Sequence, residues 1–377
     1  CPPTGCWMKS LHPALKTPAC TLFGCDYPIV QTGMGWVADP HLTAATSEAG
    51  GLGILAAATL SFDEMKEAIS IIKSKTKKPF GVNLRADQVD AQTRIDLLIQ
   101  ENVRVASFAQ APSQDLIVRL KEGGVLSMPT IGAKRHAEKV AAWGVDAAIA
   151  QGHEGGGHTG PVPTTLLLPQ ACSAVEIPIL GAGGFYDGKG LVAALAYGAA
   201  GIAMGTRFLL TKESPVPHHI KEIYLQTGVK DTVVTRHIDG YPQRVISNAL
   251  VQRLERASTL MRLPKALLNA LALRRYTATP LLSLVREGLA MRKSRGLTWS
   301  QMAMAANAPM LTKATMVDGN LDAGILPTGQ VTGVIHKVPT VAQVIQDIME
   351  EASNILHGLT RPLPVHESEN PQRGETT

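Results

Sequence analysis

The nine residues GHEGGGHTG, at positions 152–160, set two imidazoles and a carboxylate among five glycines. Three chemistries suit such a stretch: a metal site, a phosphate loop, or a tether carrying one catalytic base. A metal would want three or four ligands at roughly 2.0–2.3 Å. His153, Glu154 and His158 follow an apolar run instead of sharing one helix face, as H-E-x-x-H ligands do, and no further ligand cluster accompanies them. No metal is therefore expected. A phosphate loop is disfavoured by the intruding side chains, and a better one lies further along the chain. What remains is a mobile glycine tether projecting His158 over a site, where an imidazole titrating near neutrality can move a proton. His153 is expected to be a bystander. Glu154 is expected to be either a hinge anchor or a substrate contact.

A base needs elements to hold it. From Pro28 to Thr206 one unit recurs: a short apolar run, a turn, then a helical pattern. The runs are PIVQTG (28–33), GLGILAA (51–57), PFGVNL (79–84), VRVASFA (103–109), GVLSMPTI (124–131), DAAIAQG (146–152), IPILGAG (177–183) and GIAMGTRF (201–208). Strands without polar alternation are buried on both faces, as in parallel sheets. Ser61 and Glu64 form a capping-box pattern ahead of one helix, and Gly144 suits the end of another. Eight such units count to an α/β fold of the (β/α)8 TIM-barrel type, with an open doubly wound sheet as the alternative. After Phe208 the rhythm breaks. Residues 209–310 read as a mostly helical insertion or cap, and 335–358 can supply the last barrel helix. The expected organisation is a leader or disordered N-terminus at 1–19, a barrel formed by 20–208 and 311–360, the cap at 209–310, and a disordered tail at 361–377.

In such a barrel the active site lies at the C-terminal ends of the strands. Strand one ends in Thr32-Gly33-Met34-Gly35, strand three at Asn83, and strand six at Gln151 followed by the histidine stretch. Strand seven ends in Gly181-Ala182-Gly183-Gly184 and strand eight in Gly205-Thr206. Glycines let backbone amides approach an anion, and Thr206 adds a hydroxyl donor, so the last two strand ends read as a phosphate site. The amides beside Gly33 and Met34, with the donor and acceptor of Asn83, suit the edge of a flavin ring.

Composition sets the outer limits. The 377 residues are 45% apolar and 4% aromatic, with no apolar run near the ~20 residues of a membrane helix, so a soluble, cytoplasmic protein is expected. The first sixteen residues lack the roughly 7–15-residue apolar core of a signal peptide. Four of the five cysteines are Cys1, Cys6, Cys20 and Cys25, and are expected to be free thiols. The net charge of +5 is unevenly placed. Residues 251–300 hold ten basic side chains, including Arg274 and Arg275, against two acids. Phosphates of a bound ligand would suit that surface. Nucleic acid is not expected, because aromatic residues do not interleave with the charges.

PIVQTGMGWVADPHLTAATSEAGGLGIL, PFGVNL, QGHEGGGHTG, ILGAGGFYDGKGLVAALAYGA and MGTRFLLTKES together resemble the nitronate monooxygenase (2-nitropropane dioxygenase) family of FMN barrels. Flavin-dependent enoyl-acyl-carrier-protein reductases share that superfamily. The resemblance covers about residues 20–250, with a weaker echo at 324–341. It implies FMN held by Gly33, Met34, Asn83 and Gln151, with Gly156 and Gly181 beside it. The phosphate would rest on Gly183, Gly184, Gly205 and Thr206, and His158 would be the catalytic residue. Within the family, QTGMGWVA, residues 152–161 and 201–211, and GLTWSQMAMAANAPMLTKATMVDGN (296–320) are similar to a subgroup of bacterial steroid degradation. That subgroup comprises flavin-dependent oxidoreductases of CoA esters; Arg274 and Arg275 of the basic segment, and Glu154 in one of its two readings, are the candidate substrate contacts. One departure is His153, where the subgroup motif has glycine. The implied function is an FMN-dependent oxidoreductase of a CoA thioester of a steroid-derived cyclic acid, with NAD(P)H open as co-substrate. The alternatives are a nitronate monooxygenase, an enoyl-thioester reductase, or a binding subunit that needs a partner. A homo-oligomer is also left open.

Overall fold

The computed structural model describes residues 11–256 and 307–359. The eight apolar runs form eight parallel strands: β1 (Ile29–Gln31), β2 (Leu52–Ala56), β3 (Phe80–Leu84), β4 (Val105–Phe108), β5 (Leu126–Ile131), β6 (Ala148–Gln151), β8 (Ile179–Ala182) and β9 (Gly201–Met204). They close in chain order, with β9 pairing β1 through Ile202↔Ile29 and Met204↔Gln31. The closed sheet agrees with the barrel reading and excludes the open alternative. Strand eight stops at Met204, and Thr206–Leu209 (α9) turns at once into helix.

The helices sit where local chemistry places them. Helix α3 (Phe62–Lys75) begins in the full capping box of Ser61 and Glu64. Helix α6 (Lys134–Ala142) ends with Gly144 at φ +86°, while Val145 N–H donates back to Val140, a Schellman closure. Helix α2 (Pro40–Glu48) starts with Asp39 accepting from Leu42 N–H at 2.8 Å. The closing helix α13 (Val341–Leu359) packs on α8 (Gly188–Ala196) and α2, filling the position that strand eight leaves open. Glycine at 53 allows α2 to press on β2, since a Cβ there would lie 2.1 Å from the Thr43 carbonyl oxygen. Gly53→Ala is therefore expected to lower stability by about 1–3 kcal/mol, read as a fall in the urea midpoint at unchanged slope.

Two parts differ from expectation. Residues 11–19 pack against the barrel. Leu15 and Ala19 are buried, the Thr17 hydroxyl donates to the Ala200 carbonyl at 2.6 Å, and His12 N–H donates to Ser353. With Phe23 of α1 (Pro18–Phe23) they seal the open base of the barrel, where apolar burial outweighs the cost of ordering them. Cys20 and Cys25 belong to this plug as buried free thiols. The second difference is in the cap. Its described part holds α10 (His218–Gln226) and α11 (Ala249–Arg256), but also an antiparallel pair, β10 (Thr232–Thr235) and β11 (Gln243–Ile246). That pair extends onto β7 (Gly157–His158), giving a small sheet in the order β10-β11-β7. The rest of the basic segment, with Arg274 and Arg275, and the tail from residue 360 lie outside the described residues.

Candidate active site

The histidine stretch leaves the end of β6 and returns as β7, whose Gly157 and His158 pair with Arg244 and Gln243. It is pinned, not loose. The His153 ring bonds the Gly160 carbonyl at 2.9 Å, and its backbone N–H donates to Val162. The Thr159 hydroxyl donates to Gly152 and His153, and Thr159 N–H donates to Pro242. Gln330 N–H reaches the Glu154 carbonyl at 3.0 Å. The expected mobile tether is thus a braced strand, because several of its backbone groups find partners on neighbouring segments.

Its three polar side chains part company. Glu154 accepts from Thr164 N–H at 2.9 Å and from the Thr164 hydroxyl at 2.8 Å, at the first turn of α7 (Thr164–Cys172). Of its two expected roles, the anchor is the one these bonds describe, since the carboxylate that a substrate would need is committed to α7. His153 anchors the loop. His158 alone extends to solvent, its side chain 61% exposed, with Nε2 2.7 Å from Asp239 Oδ2. Asp239 is buried on the turn between β10 and β11; its Oδ2 also accepts from the Gln243 amide, and its Oδ1 from Tyr241 N–H. The Tyr241 ring meets His158 edge-on at 6.0 Å between centroids. Arg244, also buried, donates to the His153 carbonyl through Nε and Nη2 and to Thr232 through Nη1. Burial pushes its guanidinium down from the usual range, and the Glu154 carboxylate pulls it back up.

The other site residues converge on the same end of the barrel. A Cβ on Gly33 would fall 2.4 Å from that of Asn83, so the ends of β1 and β3 meet. Asn83 donates to the Ser107 carbonyl at 3.4 Å. A Cβ on Gly205 would lie 3.4 Å from the Met34 sulfur and 3.3 Å from the Thr32 hydroxyl. One on Gly156 would strike the backbone of Thr328 and Gly329 at 2.5 and 2.6 Å. The Gln151 amide donates to the His158 and Gly156 carbonyls at 2.7 and 3.4 Å, so it braces the histidine loop. Gly181 stands apart. Its missing Cβ would meet Leu168 and Phe185, so its glycine serves strand–helix packing and not the mouth.

The expected anion cradle is equally local. Gly183 and Gly184 take φ values of +98° and +85°, a left-handed pair that aims loop amides at one region. The Thr206 hydroxyl accepts from Gly329 N–H at 3.0 Å, which leaves its own hydrogen to donate. The first amides of α8 are already taken, Gly190 N–H by Asp187 and Gly188 N–H by Glu351. A phosphate would therefore rest on the glycine loop and the Gly205–Thr206 turn, not on α8. Gln31, wholly buried one residue before Thr32, has a side-chain oxygen without a hydrogen-bond partner. Glycine amides, a hydroxyl donor and a buried acceptor fit a flavin and its phosphate.

A profile of the family described as nitronate monooxygenase matches residues 16–95 and 89–351. The chain belongs to the nitronate monooxygenase family. Like others of that family it is a flavin-dependent oxidoreductase. Two curated relatives, from Rhodococcus jostii and Mycobacterium tuberculosis, are each 56% identical, covering 90% of this chain and 96% of their own. Both carry the name (3aS,4S,5R,7aS)-5-hydroxy-7a-methyl-1-oxo-octahydro-1H-indene-4-carboxyl-CoA dehydrogenase. The structure of FabK from Thermotoga maritima superposes with a TM-score of 0.75 at 32% identity, over 91% of this chain and 98% of that one. Nitroalkane oxidase from Streptomyces ansochromogenes does so at 0.69 and 27%, over 90% and 99%. Among the described residues of this nitronate monooxygenase relative, no helix is long and apolar enough to cross a membrane.

Asp239, Gln243, Tyr241 and Arg244 escaped the sequence reading. Their signal was available: Asp239-Gly240 stands between the β-branched TVVT and the alternating QRVI, the mark of a hairpin.

Proposed function

We propose that this chain is an FMN-dependent dehydrogenase of a CoA thioester whose acid is a cyclic steroid remnant. The observation that carries this reading is the 56% identity, over nearly the full length, to two dehydrogenases named for such an ester. The site supplies the rest. Gly183, Gly184, Gly205 and Thr206 would hold the flavin phosphate, with Gly33, Met34 and Asn83 at the ring edge. Bound flavin supplies a two-electron acceptor at N5. His158 would take the proton α to the thioester carbonyl as the hydride leaves, from a ring exposed to the mouth while its partner Asp239 is buried. Glu154, His153 and Gln151 hold that ring over the mouth. Arg274 and Arg275 would meet CoA phosphates.

The test is anaerobic. Adding the bicyclic hydroxy-acyl-CoA to the yellow protein should bleach the flavin within the mixing of a single turnover, and propyl nitronate in air should consume no oxygen. Oxygen uptake with the nitronate and no bleaching by any CoA ester would overturn the reading in favour of a nitronate monooxygenase. Adding NAD(P)⁺ or a dye after bleaching identifies the final electron acceptor.

A second result bears on the cofactor alone. Thr206→Val removes one donor to the phosphate, and a hydrogen bond to a charged group is worth about 1.5–3 kcal/mol. FMN should bind the variant roughly 10–100-fold more weakly, read by quenching of flavin fluorescence.

A further inference from the structure

Asp239 lies outside the barrel, 81 residues from His158, on a hairpin that no strand-end motif includes. We propose that Asp239 is the positioning residue that fixes the tautomer of His158, so that Nδ1 is the atom that exchanges the proton. This rests on the reading of His158 as the proton-transfer residue.

The shorter contact of the ring, to the carboxylate, carries the assignment of hydrogens. Oδ1 of Asp239 accepts from Tyr241 N–H at 3.0 Å, and Oδ2 accepts from the side-chain amide of Gln243. A carboxylate oxygen only accepts, so the ring nitrogen 2.7 Å from Oδ2 is assigned as the donor, His158 Nε2–H, and the Gln243 amide, whose nitrogen lies 3.1 Å from the same Nε2, gives its hydrogen to Oδ2 and not to the ring. A neutral imidazole carries one N–H. With it on Nε2, the lone pair is on Nδ1. The burial of Asp239, 6% exposed at its side chain against 61% for His158, lets the carboxylate orient the ring without itself reaching a substrate. Tyr241, set edge-on at 75° to the ring, restricts its rotation. When Nδ1 takes a proton, the resulting imidazolium is stabilised by the same carboxylate, as in other His–Asp pairs. Asp239, Tyr241 and Gln243 all belong to the turn and strand that pair with β7, so one hairpin supplies both the position and the protonation state of the base.

Asp239→Asn tests this with little change of shape. An amide cannot offer acceptors to Tyr241 N–H and His158 Nε2–H at once. If its oxygen keeps Tyr241, its NH2 faces His158, and the imidazole proton must move to Nδ1. The measurement is ¹⁵N NMR of the full chain labelled at histidine, with His158→Ala assigning the His158 signals. In the wild type, Nε2 should show the protonated, pyrrole-type shift and Nδ1 the pyridine-type shift; in Asp239→Asn the two should exchange. Turnover of the CoA ester should fall by about 10²–10⁴-fold with FMN affinity unchanged. A wild-type spectrum with pyridine-type Nε2, or a variant that turns over at the wild-type rate, overturns the proposal. If His158→Ala itself keeps full turnover, the underlying reading of His158 has failed instead, and the spectra still report the tautomer independently.

Discussion

Replacing His158 with alanine is expected to leave flavin bound and to lower kcat for the CoA ester by about 10²–10⁴-fold, the usual worth of a positioned acid or base. The cofactor should stay because no cradle residue depends on the imidazole: Gln151 bonds the His158 backbone carbonyl, and Thr159, which ties the loop to Gly152, is untouched. Stability should change little, since the ring is mostly solvent-exposed and its hydrogen bond is to Asp239. A rapid-mixing measurement separates the steps. Ester binding should persist while the bleaching of flavin absorbance slows. Bleaching at the wild-type rate would remove His158 from the mechanism.

The second large effect lies beneath the site. Arg244→Ala is expected to cost about 2–4 kcal/mol, because it empties a buried volume and takes two N–H donors from the His153 carbonyl. The guanidinium has no close carboxylate among its hydrogen-bond partners, and its pKa is pushed down by burial, so part of the interaction offsets desolvation. Arg244→Met, which keeps most of the volume, should therefore lose less than the alanine variant. Both should speed amide exchange at Gly157 and His158, because β11, which carries Arg244, is the strand that pairs with β7. Denaturation midpoints of the two variants, compared with exchange at those amides, check the claim. Equal losses in both would show that the cost is the hydrogen bonds and not the cavity.

Much of this molecule was legible in one dimension because its signals are local. Buried parallel strands read as unbroken apolar runs, and all eight stand within a few residues of where those runs predict them. Capping depends on residues three or four apart, so Ser61–Glu64 and Gly144 could be recognised before any packing was known. Strand order in a barrel follows chain order, which carries the glycines of 183–184 and 205, Thr206 and His158 to one end without further information.

What only the tertiary structure decided involves partners distant in sequence. Glu154 could have faced a substrate or an anchor; the first turn of α7 claims its carboxylate. Glycines at 155–157 suggested a swinging tether, yet backbone groups of residues 242 and 330 brace it, since a buried polar backbone must be paired. Gly181 carries the same letter as Gly183 but points its missing side chain at Leu168, because Gly181 lies within β8 and Gly183 in the left-handed turn that follows it. Nothing local in residues 11–19 shows that Leu15 and Ala19 are buried against the barrel or that Thr17 bonds Ala200. Composition and periodicity determined the barrel and which glycines and histidine stand at the ends of its strands. The partner of that histidine is set by β11 folding back onto β7, a pairing between segments more than eighty residues apart that no local pattern specifies.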